Sequence, residues 1–328
     1  MGQLLTELTT DFKRGQVDDT AGTRFPPDAL ALILNGRLLP DATVRRRGGS
    51  KRLHTTALNG GAIGFGGIRF VAADGTEQII VFSGDKAYKT EDSGVTLTQI
   101  ATGLRQDYYD FATMRVGAIN YLYAANGDTT IKTWDGTTWA TLSNAPSGVK
   151  HIEVFNGRLY ATGHSGSLVQ ASKIADPTTW SSPDGLTLQI LVSSGNTPVG
   201  LFQVGPHLLV FGVDQTSYID GFGVETIVVA TGATGISRSI GCAGFRTIVA
   251  TGDDGCCWLS RRGVEYYSPG SKILLLSRSI TEYLGTIDRG ELLSTPERPT
   301  ACYDETNEEY RLALSTTGTR NDTIFRFS

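Results

Sequence analysis

The chain has 328 residues, with 29 Lys and Arg against 33 Asp and Glu, a net charge of −4. Charged residues make up only 19 % and Gly fills 40 positions, with Thr comparably abundant. Both are poor helix formers and Thr suits a half-buried pleated surface, which argues against a helical bundle. Apolar residues run throughout, which argues against disorder.

The opening MGQLLTELTTDF has no basic start followed by an apolar stretch, so no cleaved leader is expected. Its first six residues fit the short N-myristoylation pattern only loosely, and such patterns recur by chance. The longest apolar run, Ala29 to Leu34, is six residues, against the ~20 that cross a bilayer. No membrane segment is expected. PPDALALILNG (26–36) predicts a short helix, with Pro27 near its first position, Asp28 in the first turn and Gly36 as its stop. A basic run follows, holding Arg45, Arg46, Arg47, Lys51 and Arg52. Residues 1–60 carry 9 basic and 6 acidic side chains, against 20 and 27 in the remainder. NGGAIGFGG (59–67) looks too glycine-dense for regular packing. Residues 1–67 therefore read as an extended docking arm with a short helix, and 68–328 as a separate domain.

From residue 68 one pattern recurs: an apolar strand, a Gly/Asn/Asp turn and an alternating strand. Anchored on Val81, Tyr123, Tyr160, Val210, Trp258 and Leu312, it repeats at spacings of 42, 37, 50, 48 and 54 residues. Another strand-like run precedes each unit, as in 111–119, 151–157, 201–206 and 245–252. Three or four strands per forty-odd residues, about six times over, predicts an all-β fold, a β-propeller of about six blades. A single small sheet cannot bury both faces, whereas stacked blades bury them in series. An irregular pair of β-sandwiches is the alternative. The final strand-like run, 324–327, leaves two ways to end the ring: the last blade borrows a strand from the arm, or it stays incomplete.

No catalytic constellation is visible, and no enzyme, cofactor or metal site is expected. Lys89–Thr96 resembles the Asp-box turn of sialidase-type propellers, and Asp135–Trp139 is a weaker match. That turn is structural, and no arginine cluster or tyrosine–glutamate pair is singled out by spacing. His54, His151, His164 and His207 fall on separate units and lack metal-ligand spacing. Cys242, Cys256, Cys257 and Cys302 show no CxxC spacing and read as reduced, mostly buried residues. Asn126–Asp128 and Asp253–Gly255 read as hairpin turns rather than calcium loops. Trp134, Trp139, Trp180 and Trp258 read as blade packing or, alternatively, as stacking faces for sugars. The basic run reads either as a solvated loop or as a docking segment for carboxylates or phosphates.

The arm TDFKRGQVDD…RFPPDALALILNGRLLPDATVRRRGG (10–49) resembles the opening of tailed-bacteriophage tail propeller proteins. The likeness lies in Asp11, Phe12, Gly15, Pro26, Pro27, Asn35, Arg47 and Gly48. The block 207–284 is similar to that family in its Gly-Cys-x-Gly turn, Trp-led strand and Arg-Gly-Val hairpin, as is YDETNEEYRLAL (303–314). The family comprises nozzle, tail-tube and DNA-stabilisation tail factors, generally longer than this chain. The resemblance implies a structural virion protein, assembled in the host cytoplasm, in the tail or head-to-tail conduit. It implies copies of itself in a ring around the DNA path, with portal, adaptor or other tail proteins as partners and non-specific contact with DNA. The five basic residues are then the docking or phosphate contact. The alternative is a carbohydrate- or receptor-binding propeller at the tail tip, using Trp134, Trp139 and Trp180.

Overall fold

A computed structural model describes residues 36–38, 44–46, 57–92, 96–164, 168–181, 183–189, 198–221, 227–230, 237, 239–252, 255–280, 284, 299–315 and 323–327. Two short strands come first, β1 (Gly36–Leu38) and β2 (Val44–Arg46), paired antiparallel. Six antiparallel sheets follow in chain order. The first is β3 (Gly64–Val71), β4 (Glu77–Ser83), β5 (Lys86–Thr90) and β6 (Thr98–Ala101). The second is β7 (Asp110–Val116), β8 (Ile119–Ala125), β9 (Lys132–Trp134) and β10 (Trp139–Thr141). The third is β11 (His151–Phe155), β12 (Arg158–Thr162), β13 (Leu168–Ala171) and β14 (Leu186–Gln189). The fourth is β15 (Gly200–Val204), β16 (His207–Phe211), β17 (Thr216–Gly221) and β18 (Ile227–Ala230). The fifth is β19 (Val249–Ala250), β20 (Cys256–Ser260), β21 (Gly263–Tyr267) and β22 (Leu274–Leu275). The sixth has three strands among the described residues, β23 (Thr300–Asp304), β24 (Glu309–Leu314) and β25 (Thr323–Phe327).

These are the six blades of a β-propeller, with the first strand of each innermost: β7 packs beside β11, β11 beside β15, and β19 beside β23. All six sequence anchors fall on the second strand of their blade, Val81 on β4 through Leu312 on β24. Those strands are the most continuously apolar because both of their faces are covered.

The period of two decides which neighbour each residue meets. On β8, Leu122 and Ala124 pack toward blade 1 with Phe70, Ile80 and Phe82, while Tyr123 and Ala125 pack toward blade 3 with Ile152 and Leu159. On β16, Leu208 and Val210 face blade 3, and Leu209 and Phe211 face blade 5. On β20, Cys256 and Trp258 face blade 4, and Cys257 and Leu259 face blade 6. Five hydrophobic clusters result, one between each pair of successive blades. Among the described residues no such cluster bridges blades 6 and 1. Each fully buried Leu, Ile or Phe contributes about 1.5–3 kcal/mol, so the series of blade-to-blade joints dominates the stability.

Two expectations about the amino-terminal part change. The glycine-dense stretch is ordered packing: Gly64–Gly67 opens β3, with a bulge between Gly64 and Gly66. At Gly66 φ is +145°, and a Cβ would meet the Phe111 ring of blade 2 at 3.1 Å. The glycines let blade 1 approach its neighbour, so the propeller begins at Gly64 rather than at residue 68. Gly36, expected as a helix stop, opens β1 instead, while the helix expected over 26–35 lies outside the described residues.

Candidate functional site at the axial end of the ring

The innermost strands β7, β11 and β15 begin at the same end of the axis, and there several polar side chains meet. Asp110 opens β7, and its carboxylate accepts the backbone N–H of Phe111 at 2.9 Å and that of Ile152 at 3.2 Å. The buried His151 ring has Nδ1 3.5 Å from Asp110 Oδ2. Glu153, two residues further along β11, accepts the Val154 N–H at 2.9 Å. Burial between the strands pushes the Glu153 carboxyl up to about 7, the Asp110 carboxylate adding to the rise, against the Val154 and Gln203 backbone N–H groups.

Above these groups lies the 3-10 turn Phe245–Thr247, which precedes the innermost strand of blade 5. The Phe245 ring meets the His151 ring edge-on, at 4.6 Å between centroids. The Arg246 guanidinium sits 4.4 Å from the centre of the Tyr108 ring, in the segment leading into blade 2. Burial lowers the Arg246 pKa, and its contact with Tyr108 opposes that fall. Blades 2 and 5 stand opposite each other in a six-bladed ring, so the Arg246–Tyr108 stack reaches across the axis. Sequence reasoning picked out the Gly-Cys-x-Gly turn just before Phe245 but not the stack. Nothing local to residue 108 or 246 marks a partner so far along the chain.

The other expected residues lie elsewhere. Arg45 and Arg46 are on β2, and the hairpin register sets Arg45 opposite Arg37 and Arg46 opposite Gly36. Arg47, Lys51 and Arg52 lie outside the described residues, as does His54. The structure turns the tryptophans inward. Trp134 and Trp180 are buried in the clusters between blades 1 and 2 and blades 2 and 3, with Trp258 between blades 4 and 5. Trp134 Nε1 donates to Gln78 Oε1 at 2.8 Å, Trp180 Nε1 to the Pro177 carbonyl at 2.7 Å, and Trp258 Nε1 to the Gly241 carbonyl at 3.0 Å. Trp139 is half-buried against Phe82 and Trp134, at 5.7 and 6.4 Å between centroids. The sugar-stacking expectation is corrected here for Trp134 and Trp180, because indoles held by both ring packing and a buried N–H bond present no open face.

The Asp-box resemblance has a geometric counterpart. Asp92 accepts both the Thr96 N–H and the Thr90 hydroxyl, which pulls its pKa down to about 2. Asp135 accepts the N–H groups of Thr137 and Thr138, and Asp176 accepts the Thr178 N–H and the Thr178 and Thr179 hydroxyls. All three lie between the third and fourth strands of their blades, so they fasten the outer hairpin. Asn126–Asp128 is a turn closed by the Asp128 N–H on Asn126 Oδ1, whereas Asp253 and Asp254 lie outside the described residues. Cys242, Cys256 and Cys257 are buried and Cys302 is exposed, all four as free thiols. Burial pushes the Cys242 thiol up to about 12. Among the described residues no three His, Cys, Asp or Glu side chains gather as a metal site, and no helix is long and apolar enough to cross a membrane.

No protein-family profile and no curated protein matches the sequence. Among solved structures, the chain is similar to the extracellular domain of the hybrid two-component system BT4673 from B. thetaiotaomicron. The TM-score is 0.51 at 9 % identity, over 80 % of this chain and 32 % of that one, so the chain spans about a third of that protein. An auxiliary nutrient binding protein from Bacteroides thetaiotaomicron matches with TM-score 0.47 and 13 % identity, over 76 % of this chain and 65 % of the other. The WD40 repeats of RRP9 match with TM-score 0.46 and 12 % identity, over 79 % and 92 %. At such identities the likeness to the first is one of fold, and the fold is a β-propeller.

Proposed function

We propose that this chain is a structural protein of a tailed-phage virion, a propeller in the tail or head-to-tail conduit that assembles with copies of itself and neighbouring tail proteins. The reading rests on the sequence resemblance of the arm and of 207–284. The observation that carries the docking part is the β1–β2 hairpin, which pairs Arg37 with Arg45 and holds Arg46 as the last residue of β2. Like charges at directly paired positions repel and destabilise a hairpin, so an anionic surface, carboxylate or phosphate, is the natural complement.

Quantitative mass spectrometry of density-purified particles from a lysate producing this chain tests the reading. A fixed stoichiometry of several copies per particle is expected, and absence from the particles overturns it. Replacing Arg45, Arg46, Arg47, Lys51 and Arg52 together by Ser should abolish incorporation while leaving the melting of the purified protein unchanged. Normal incorporation of that variant refutes the docking role alone.

A further inference from the structure

We infer that the turn Phe245–Thr247 is a hub that holds the six blades as one closed ring. Six blades joined in series have five joints, and each of those joints is a hydrophobic cluster. Closing the series into a ring needs a further constraint between blades far apart in the chain. The hub supplies one. Arg246 stacks on Tyr108 at the start of blade 2, and Phe245 packs on His151 of blade 3. Gly200, at the start of blade 4, is approached so closely that a Cβ there would lie 2.7 Å from Ile248 Cδ1 and 3.4 Å from Phe245 Cβ. Within blade 5, Thr247 Oγ1 accepts the Leu259 N–H at 3.0 Å and donates to the Gly244 carbonyl at 2.6 Å. From blade 6, the buried Tyr310 hydroxyl donates to the Thr247 carbonyl at 2.8 Å. Blade 1 joins through the residue after Tyr108, since the Tyr109 N–H donates to the Phe65 carbonyl at 3.0 Å.

Three consecutive residues thus reach blades 2 to 6 directly and blade 1 by one further bond. The contacts are of kinds that gain strength when desolvated: a cation over a ring and hydrogen bonds with no competing water. Among the described residues the seam between blades 6 and 1 has no such cluster, so removal of the hub contacts should release that seam before it loosens any joint between successive blades. The hub does not depend on the virion reading.

Hydrogen exchange of the purified full chain, read by mass spectrometry, tests this with Arg246→Ala and the milder Arg246→Lys. A lost desolvated cation–ring contact corresponds to roughly a tenfold rise in local opening. That rise is expected at β3, β7 and β23, which flank the seam or carry the Tyr108 segment, with β12 and β16 in the middle of the series unchanged. Arg246→Lys should give the same pattern at smaller amplitude, and it carries the comparison if the Ala variant fails to fold. Faster exchange confined to residues 241–260 overturns the hub. An equal rise in every strand also overturns it, since that is the mark of general destabilisation.

Discussion

Glu153→Gln is the sharpest probe of the axial site. The Glu153 carboxyl, ordinarily near 4.5, is held at about 7 in the folded protein, chiefly by burial between the innermost strands. At about 1.4 kcal/mol per tenfold change in proton affinity, the folded chain favours the protonated form by about 3 kcal/mol at most. Glu153 is only partly buried, and screening from the open side reduces this to about 2 kcal/mol. The sign follows from linkage: between pH 4.5 and about 7 the folded state holds a proton that the unfolded state has released, so stability falls as pH rises through that window and levels off above it. Gln keeps the shape and an acceptor for the Val154 N–H but cannot ionise. Urea unfolding of both proteins at pH 4 and pH 8.5 should show the variant about 2 kcal/mol more stable at the higher pH and nearly equal at the lower. Taking the difference between the two proteins cancels the other titrating groups. An equal gap at both pH values would refute the reasoning, since Glu153 would then not be the group that titrates.

Other expectations follow from packing. Gly66→Ala should cost about 1–3 kcal/mol in thermal or urea unfolding, because it places a Cβ against the Phe111 ring at a φ of +145°; an unchanged midpoint would mean that blades 1 and 2 do not approach so closely there. A thiol reagent added to the native protein should modify Cys302 at once and the buried Cys242, Cys256 and Cys257 only after unfolding. Trp258→Phe, which removes the donor to the Gly241 carbonyl, should destabilise by about 1–3 kcal/mol. No effect in a denaturant titration would place that indole outside the joint between blades 4 and 5.

The repeat was legible because each blade spends its most apolar strand in the same position. Val81, Tyr123, Tyr160, Val210, Trp258 and Leu312 all lie on second strands, where both faces are buried and no polar alternation interrupts the run. The Asp-led turns were legible too, since Asp92 and Asp135 bond within four residues of themselves and the sequence holds both partners. The glycine-rich start of β3 was misread, because glycine density looks the same whether it serves a loose linker or a close approach. The aromatic ring it approaches lies in another blade. The tryptophans stayed ambiguous for a related reason: an indole's face is open or closed according to what packs on it, and for Trp134 that includes Gln78 of the preceding blade.

What the sequence determined by itself was local and periodic: strand alternation, turn chemistry, and the recurrence that makes a blade. Alternation even implies that Cys256 and Cys257 point to opposite faces, and the structure puts them in different clusters. Only the tertiary structure decided what meets across the ring. The stack of Arg246 on Tyr108, the burial that raises Glu153, and the gathering of five blades on Phe245–Thr247 all join residues with no shared periodicity. Only the closed ring brings them together, so neither composition nor spacing carries a trace of the contact.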